Sequence, residues 1–393
     1  MKTVLYLLCL LSLFATCGKE DWAIPESPCT LDMPDSSRNN RKDSEYRRVL
    51  NYYVSRGIPG LVLLVRTPAD GLWIGAAGKS KIETGEAMLP CQVHHSASVV
   101  KMYIGKSIML LAEDKKIDLD APINKYLDAG MCNHISNGNT ATVRQLMNHT
   151  SGIRDFVTET KHLTDYFNNF FNHYTTDDFL HYIYGKPADF EAGTKAAYCN
   201  TNYVLLSLII DRVTGKPHAD FLSERIFKKL NLQQTFYKNE PGYPHPAGLV
   251  NSYWDRYGNG QLENITKVAI HFDDLSVGHD AMLATARDYA RFLEALLKGQ
   301  LVSPASLNQM KEWKYHEGEK GYSGLGLLKM ETKYGDAIGH GGANFGVAMM
   351  ARYYPQQDVT IVFCSNIAGF FPSPALDEVI AFSKGIEKTV FEE

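Results

Sequence analysis

Ser98 and Lys101 stand three positions apart in the run Ser98-Val99-Val100-Lys101. On a helix, residues i and i+3 share a face, so the amine can stand beside the hydroxyl. A free serine hydroxyl is a weak nucleophile and needs a neighbouring base. A lysine serves when its surroundings lower its pKa, and Lys101 is embedded among Val99, Val100, Met102 and Ile104. A serine opening a helix also offers backbone N–H groups and a positive dipole end to a developing oxyanion. For the tetrapeptide alone, an N-cap serine beside a snorkelling lysine is the better reading of the pattern.

Two further motifs follow. Tyr198-Cys199-Asn200 lies just before a helix-patterned run, Tyr203–Val213. A phenol polarised by an amine can relay protons, and a carboxamide can orient both an amine and a substrate carbonyl. His340-Gly341-Gly342-Ala343 ends one strand-like run and leads into another. Glycines there let backbone approach a ligand, and an edge strand can present an N–H, here that of Ala343, to a carbonyl oxygen.

The elements that must position these groups read as a helix, two strands, a long helical middle, several strands and a last helix. Ser44–Arg56 has helical spacing and stops at Gly57 and Pro59. Leu61–Arg66 and Leu72–Ala77 form a hairpin pattern, and Ser98–Glu113 is a helix apolar on most sides. Residues 115–285 read as helix and loop. Thr285-Ala286-Arg287-Asp288 resembles a capping box. Strands are expected at Gly324–Met330, Tyr334–Ile338, Gly346–Tyr354 and Val359–Cys364, and a final helix from Pro374. Hairpin-length connections imply an α+β fold: an antiparallel β-sheet flanked by helices, with a mainly helical region inserted.

In this order, Ser-x-x-Lys, Tyr-x-Asn and His-x-Gly resemble the serine hydrolases related to class C β-lactamases and D-Ala-D-Ala carboxypeptidases. The stretch Thr142-Val143-Arg144 through His149-Thr150-Ser151-Gly152 and the segment Leu283–Asp288 look like the same family. The resemblance spans roughly residues 44–385. It implies a sheet part at about 44–114 and 286–390 and a helical part at about 115–285, within one hydrolase domain of 44–390, with the site between the parts. It further implies that Ser98 is acylated, Lys101 accepts its proton and Tyr198 relays protons. Asn200 would position Lys101 and the substrate amide, His340 with Gly341 and Gly342 would line the cleft, and the N–H groups of Ser98 and Ala343 would hold the oxyanion. The substrate is then a small molecule or peptide, an amide or an ester. A slowly acylated penicillin-binding or sensor protein is the alternative.

Two departures bear on activity. Cys199 stands where relatives often carry serine, a small neutral exchange. His340 stands where true β-lactamases of this type carry lysine, and a mostly neutral imidazole is a poorer anchor for a carboxylate. Peptidase, amidase or esterase activity therefore ranks above efficient β-lactamase activity. The aromatic segment that includes Tyr166, Phe170, Phe171, Tyr174 and Tyr182 reads either as a cleft wall or, better, as the core stripe of a helix. No His-Glu-x-x-His or paired Cys-x-x-Cys occurs, so neither a metal nor a cofactor is expected.

Residues 1–16 carry a basic start, Lys2, and an apolar run, Val4–Phe14, too short to span a bilayer, as a signal peptide does. Leu13-Phe14-Ala15-Thr16-Cys17 resembles a bacterial lipobox, which implies a lipid anchor at Cys17 and a cell-envelope address. Residues 17–43 read as a lipidated or flexible tether, and Gly18-Lys19-Glu20-Asp21 looks like a surface-display signal. Net charge −4 without a long basic run argues against nucleic acid as a partner. With 45% hydrophobic and 21% charged residues, the remaining chain can bury a sizeable core. Of seven cysteines, Cys29, Cys91, Cys132, Cys199 and Cys364 fall beyond the leader and Cys17; one disulfide is allowed, its pairing open.

Overall fold

The computed structural model describes residues 39–237, 243, 246–316, 321–369 and 373–392. The signal-like segment 1–16, Cys17 and most of the 17–43 tether lie outside the described residues. A nine-stranded antiparallel sheet forms the frame. From edge to edge it runs Glu86–Ala87, Gly71–Lys81, Gly60–Thr67, Val359–Ser365, Val347–Tyr354, Gly335–Asn344, Leu328–Thr332, Gly321–Ser323 and Lys314–His316. The first hairpin strand thus pairs with the last strand of the chain, Leu63 opposite Phe363, which closes the sheet across its two sequence halves.

Both faces of this sheet are covered, which is why Leu61-Val62-Leu63-Leu64-Val65 is apolar without interruption. Leu61, Leu63 and Val65 pack with Tyr46, Leu50, Val379 and Phe382 of the terminal helices Asp43–Ser55 and Pro374–Phe391. Val62 and Leu64 face the other way, toward the helices Val100–Glu113 and Ala286–Leu297. The period-two alternation of a strand sends neighbouring residues into two separate cores. The terminal helix is opened by Ser373, whose side chain accepts from Leu376 N–H, with Pro374 in the first turn. Thr285 caps Ala286–Leu297 in the same way, accepting from Asp288 N–H.

Helices dominate the stretch between, including Asn200–Thr214, which ends at Gly215 in the left-handed conformation. Short strands are also present there. Thr235–Tyr237 and Met282–Thr285 join Val93–His95 in a three-stranded sheet, at the point where the chain leaves and re-enters the main body. Strands of three or four residues are too brief for a period-two pattern to declare itself. The expected strand Gly324–Met330 is likewise two pieces, Gly321–Ser323 and Leu328–Thr332, parted by a turn at Gly326. The aromatic helix ends early, at Asn168, because Asn169 takes the Phe171 N–H with its own side chain and starts a turn. Tyr166 is buried, whereas Phe171 is 54% exposed.

Cys91 is disulfide-bonded, whereas Cys132, Cys199 and Cys364 are free and buried. Among the described residues no helix is long and apolar enough to cross a membrane.

The helix Val100–Glu113 is buried on every side from Val100 to Leu111. It comes tightly against the turn before Leu328–Thr332 at Gly105, where an added Cβ would lie 2.8 Å from Gly326 Cα and 3.1 Å from the Leu325 carbonyl oxygen. Gly105→Val should therefore cost stability on the order of 1–3 kcal/mol by overpacking. A urea titration reads this as a lowered midpoint; an unchanged midpoint would mean that the contact yields freely.

Candidate active site

Ser98 lies in a one-turn 3-10 segment, Ala97–Val99, that leads into Val100–Glu113. It is half-buried between two buried neighbours. Ala97 holds φ at +43°, a region L-residues avoid. Packing imposes that bend, because Ala97 and Val99 are both fully enclosed. Two other non-glycine residues with positive φ border the same place, His149 at +60° and Ala281 at +81°. Each such residue costs on the order of 1–3 kcal/mol, and such strain gathers where a site must be held in one shape.

Lys101 is wholly buried, with Nζ 2.8 Å from Ser98 Oγ. The same nitrogen donates to the His279 carbonyl oxygen at 2.7 Å. Burial brings the amine down to about 7, against the opposing pull of Asp280 and Asp155. The ring of Tyr198 stands 5.2 Å from Nζ and that of Tyr203 5.7 Å.

The Tyr198 motif is fastened from behind. Cys199 N–H donates to His149 Nδ1 at 3.1 Å, and the His149 ring lies 4.5 Å from that of Tyr198. Because Nδ1 accepts there, the His149 proton sits on Nε2. Burial and Lys101 hold this imidazole neutral. Burial likewise keeps Cys199 a neutral thiol, donating to the Ile153 carbonyl. Asn200 opens the helix Asn200–Thr214, and its amide nitrogen donates to Asp155 Oδ2 at 2.9 Å. The carboxamide nitrogen thus reaches Asp155, which is buried, has its pKa raised by burial and interacts electrostatically with Lys101.

The third motif closes the cleft. Gly335–Asn344 pairs with Val347–Tyr354 from Ile338 to Asn344, and with Leu328–Thr332 only from Gly335 to Gly339. From His340 onward its second edge is out of the ladder and lies against the Ala97–Val99 turn. A Cβ on Gly342 would sit 2.6 Å from Ser98 N, so glycine is needed for the strand to come this near the serine amide. Ala343, next along this edge, is exposed. His340 donates from Nδ1 to the Gly341 carbonyl at 2.6 Å, leaving Nε2 an acceptor. Burial and Lys101 lower its pKa to about 3, so it is neutral.

The fold therefore gathers the alcohol, amine, phenol, imidazole and glycine edge at one place, and Asn200 is hydrogen-bonded to Asp155, which interacts with the amine. Sequence reasoning did not find His279, Asp280 or Asp155, nor a site role for His149. Asp280 directly precedes the apolar run Ala281-Met282-Leu283-Ala284, and that charge at the edge of the run is the signal that was available for it. A nucleophilic hydroxyl beside a near-neutral amine, with a strand edge at hand, is suited to acyl transfer through a covalent intermediate.

The Beta-lactamase family description matches residues 40–383. Among similar proteins, PbpX of Bacillus subtilis, provisionally designated a penicillin-binding protein, is 24% identical over 326 residues, 82% of this chain and 74% of that one. Another relative is longer, and the match spans 39% of it. A D-stereospecific amidohydrolase from Streptomyces sp. superposes with TM-score 0.71 at 26% identity, over 82% of this chain and 94% of that one. The D-amino acid amidase of Ochrobactrum anthropi SV3 superposes with TM-score 0.76 at 23% identity, over 88% and 99%.

Labelling of Ser98 by a fluorophosphonate should accelerate as pH rises through about 7, where Lys101 loses its proton. Stopped labelling with mass spectrometry checks this; a limb at the ordinary lysine range of about 10.4 would contradict it. Gly342→Ala should abolish that labelling in protein that retains its far-UV spectrum, whereas wild-type rates would dismiss the close approach.

Proposed function

The chain belongs to the Beta-lactamase family of serine hydrolases, and on that premise we propose that it is an exported acyl-transfer hydrolase of amides, small peptides or esters. One observation carries the reading: a wholly buried amine hydrogen-bonded to Ser98 Oγ at 2.8 Å, its pKa lowered by that burial. In the proposed cycle the neutral Lys101 amine takes the Ser98 proton as Oγ bonds to the substrate carbonyl carbon. The carbonyl oxygen becomes an oxyanion held by the N–H groups of Ser98 and Ala343. Collapse expels the amine or alcohol, which receives the proton through Lys101 and Tyr198. Water then attacks the Ser98 acyl ester; the Oγ–carbonyl bond breaks, the water proton passes through Tyr198 and Lys101 to Ser98 Oγ, and the acid is released.

The similarity to a D-stereospecific amidohydrolase and a D-amino acid amidase favours amides of D-residues among the substrates. A neutral His340 favours substrates without a carboxylate to anchor at that point, which sets β-lactams below amides and esters. Export is supported by the signal-like leader and by the disulfide at Cys91, a bond that persists in oxidising compartments. The lipobox-like run adds attachment at Cys17 as part of the same proposal.

A panel of D- and L-aminoacyl amides, short-chain esters and a chromogenic cephalosporin tests the reading. Steady turnover is expected on amides or esters, with a loss of at least about 10³-fold in Ser98→Ala. A stoichiometric burst with no turnover on any of them would instead assign the slowly acylated sensor. Turnover undiminished in Ser98→Ala would end the serine mechanism.

A further inference from the structure

The Lys101 amine hangs from a backbone carbonyl, and the residue after that carbonyl is a buried acid. His279 supplies the oxygen at 2.7 Å; Asp280, 4% exposed, follows it. Asp280 Oδ2 accepts from Asn344 Nδ2 at 2.6 Å, and Oδ1 accepts from Ala281 N–H at 3.0 Å. Asn344 is buried and directly follows Ala343 on the strand that borders Ser98. A single carboxylate thereby joins the loop that holds the base to the strand proposed to hold the oxyanion.

The loop itself is rigidly seated. Gly278 N–H donates to the Tyr237 hydroxyl at 2.9 Å, and a Cβ on Gly278 would strike Ser207 and Tyr203 of the Asn200–Thr214 helix. Ala281 keeps φ at +81° with no exposure. A strained, enclosed loop maintained around an acid that no motif reveals is the mark of a positional task.

We propose that Asp280 is a positioning residue for acylation, tying Lys101 through the His279 backbone and the oxyanion strand through Asn344, an inference that rests on the Ser98 acyl-transfer reading. Its charge acts on the base as well. Facing Asp280 are Lys101 and Asp273, the latter bound through Oδ2 to His95 Nδ1 at 2.6 Å, with the Tyr166, Tyr237, Tyr243 and Tyr289 phenols all kept protonated by burial. Facing Lys101 are Asp280, Asp155 and Cys199, together with the neutral His149 and His340 and the phenols Tyr198 and Tyr203. Burial and Asp273 raise the Asp280 pKa, and Lys101 and Asn344 resist that rise. Asp280 in turn raises Lys101. Removing the anion lowers the amine's pKa, so the rising limb of acylation moves to lower pH.

The test is the pH profile of Ser98 labelling by a fluorophosphonate in wild type, Asp280→Asn and Asn344→Ala. Asp280→Asn removes the charge. Asn344→Ala removes a donor that favours the charged carboxylate, so it acts in the same direction and serves if Asp280→Asn does not fold. Both folded variants are expected to label at least about 10-fold more slowly at the plateau, with midpoints lowered by about one pH unit for Asp280→Asn and less for Asn344→Ala. Midpoints equal to wild type in the folded variants would overturn the assignment, leaving Asp280 a packing residue. Absence of Ser98 labelling in wild type would instead overturn the acyl-transfer reading beneath it.

Discussion

An amine that must be a base near neutrality has to be kept from water, and a buried ammonium is costly unless its protons are received. Lys101 meets both demands at once. It has no exposure, and its nitrogen is engaged by Ser98 Oγ and the His279 carbonyl. Two buried acids, Asp280 and Asp155, limit the downward shift without cancelling it. Tyr198, Tyr203, His149 and His340 lie around that one nitrogen.

The layers of the fold explain how the burial is achieved. Val100–Glu113 runs between the sheet and the helical part and has no solvent-facing side along most of its length. Glycines at 105 and 326 bring helix and loop together more closely than side chains would permit. Gly342 does the same for the strand edge and the serine amide. Positive φ at Ala97, His149 and Ala281 shows that three separate segments meeting here are held out of their preferred conformations. The well-packed cores on both faces of the sheet supply the stability against which that strain is held.

What could be read beforehand divides along physical lines. The nine-stranded frame was legible at Leu61–Val65 and Val359–Cys364 because long apolar or alternating runs leave few options. Thr285 and Pro374 marked helix starts through capping chemistry. Thr235–Tyr237 and Met282–Thr285 were illegible because so short a strand is decided by its partners, not by its own pattern. At the site, Ser98, Lys101 and Tyr198 belong to short motifs, and the fold assembles them. His279 contributes a backbone oxygen, which any residue type would carry, so sequence could not name it. Asn200 shows the converse: its position was legible, but its partner, Asp155, is a product of tertiary packing.

The central claim concerns the protonation of one nitrogen, and NMR of protein labelled with [ε-13C]lysine, with Lys101 assigned by Lys101→Arg, observes it directly. The account predicts a Lys101 resonance that titrates near pH 7 while surface lysines remain protonated. A Lys101 midpoint alongside theirs, at about 10.4, would contradict it.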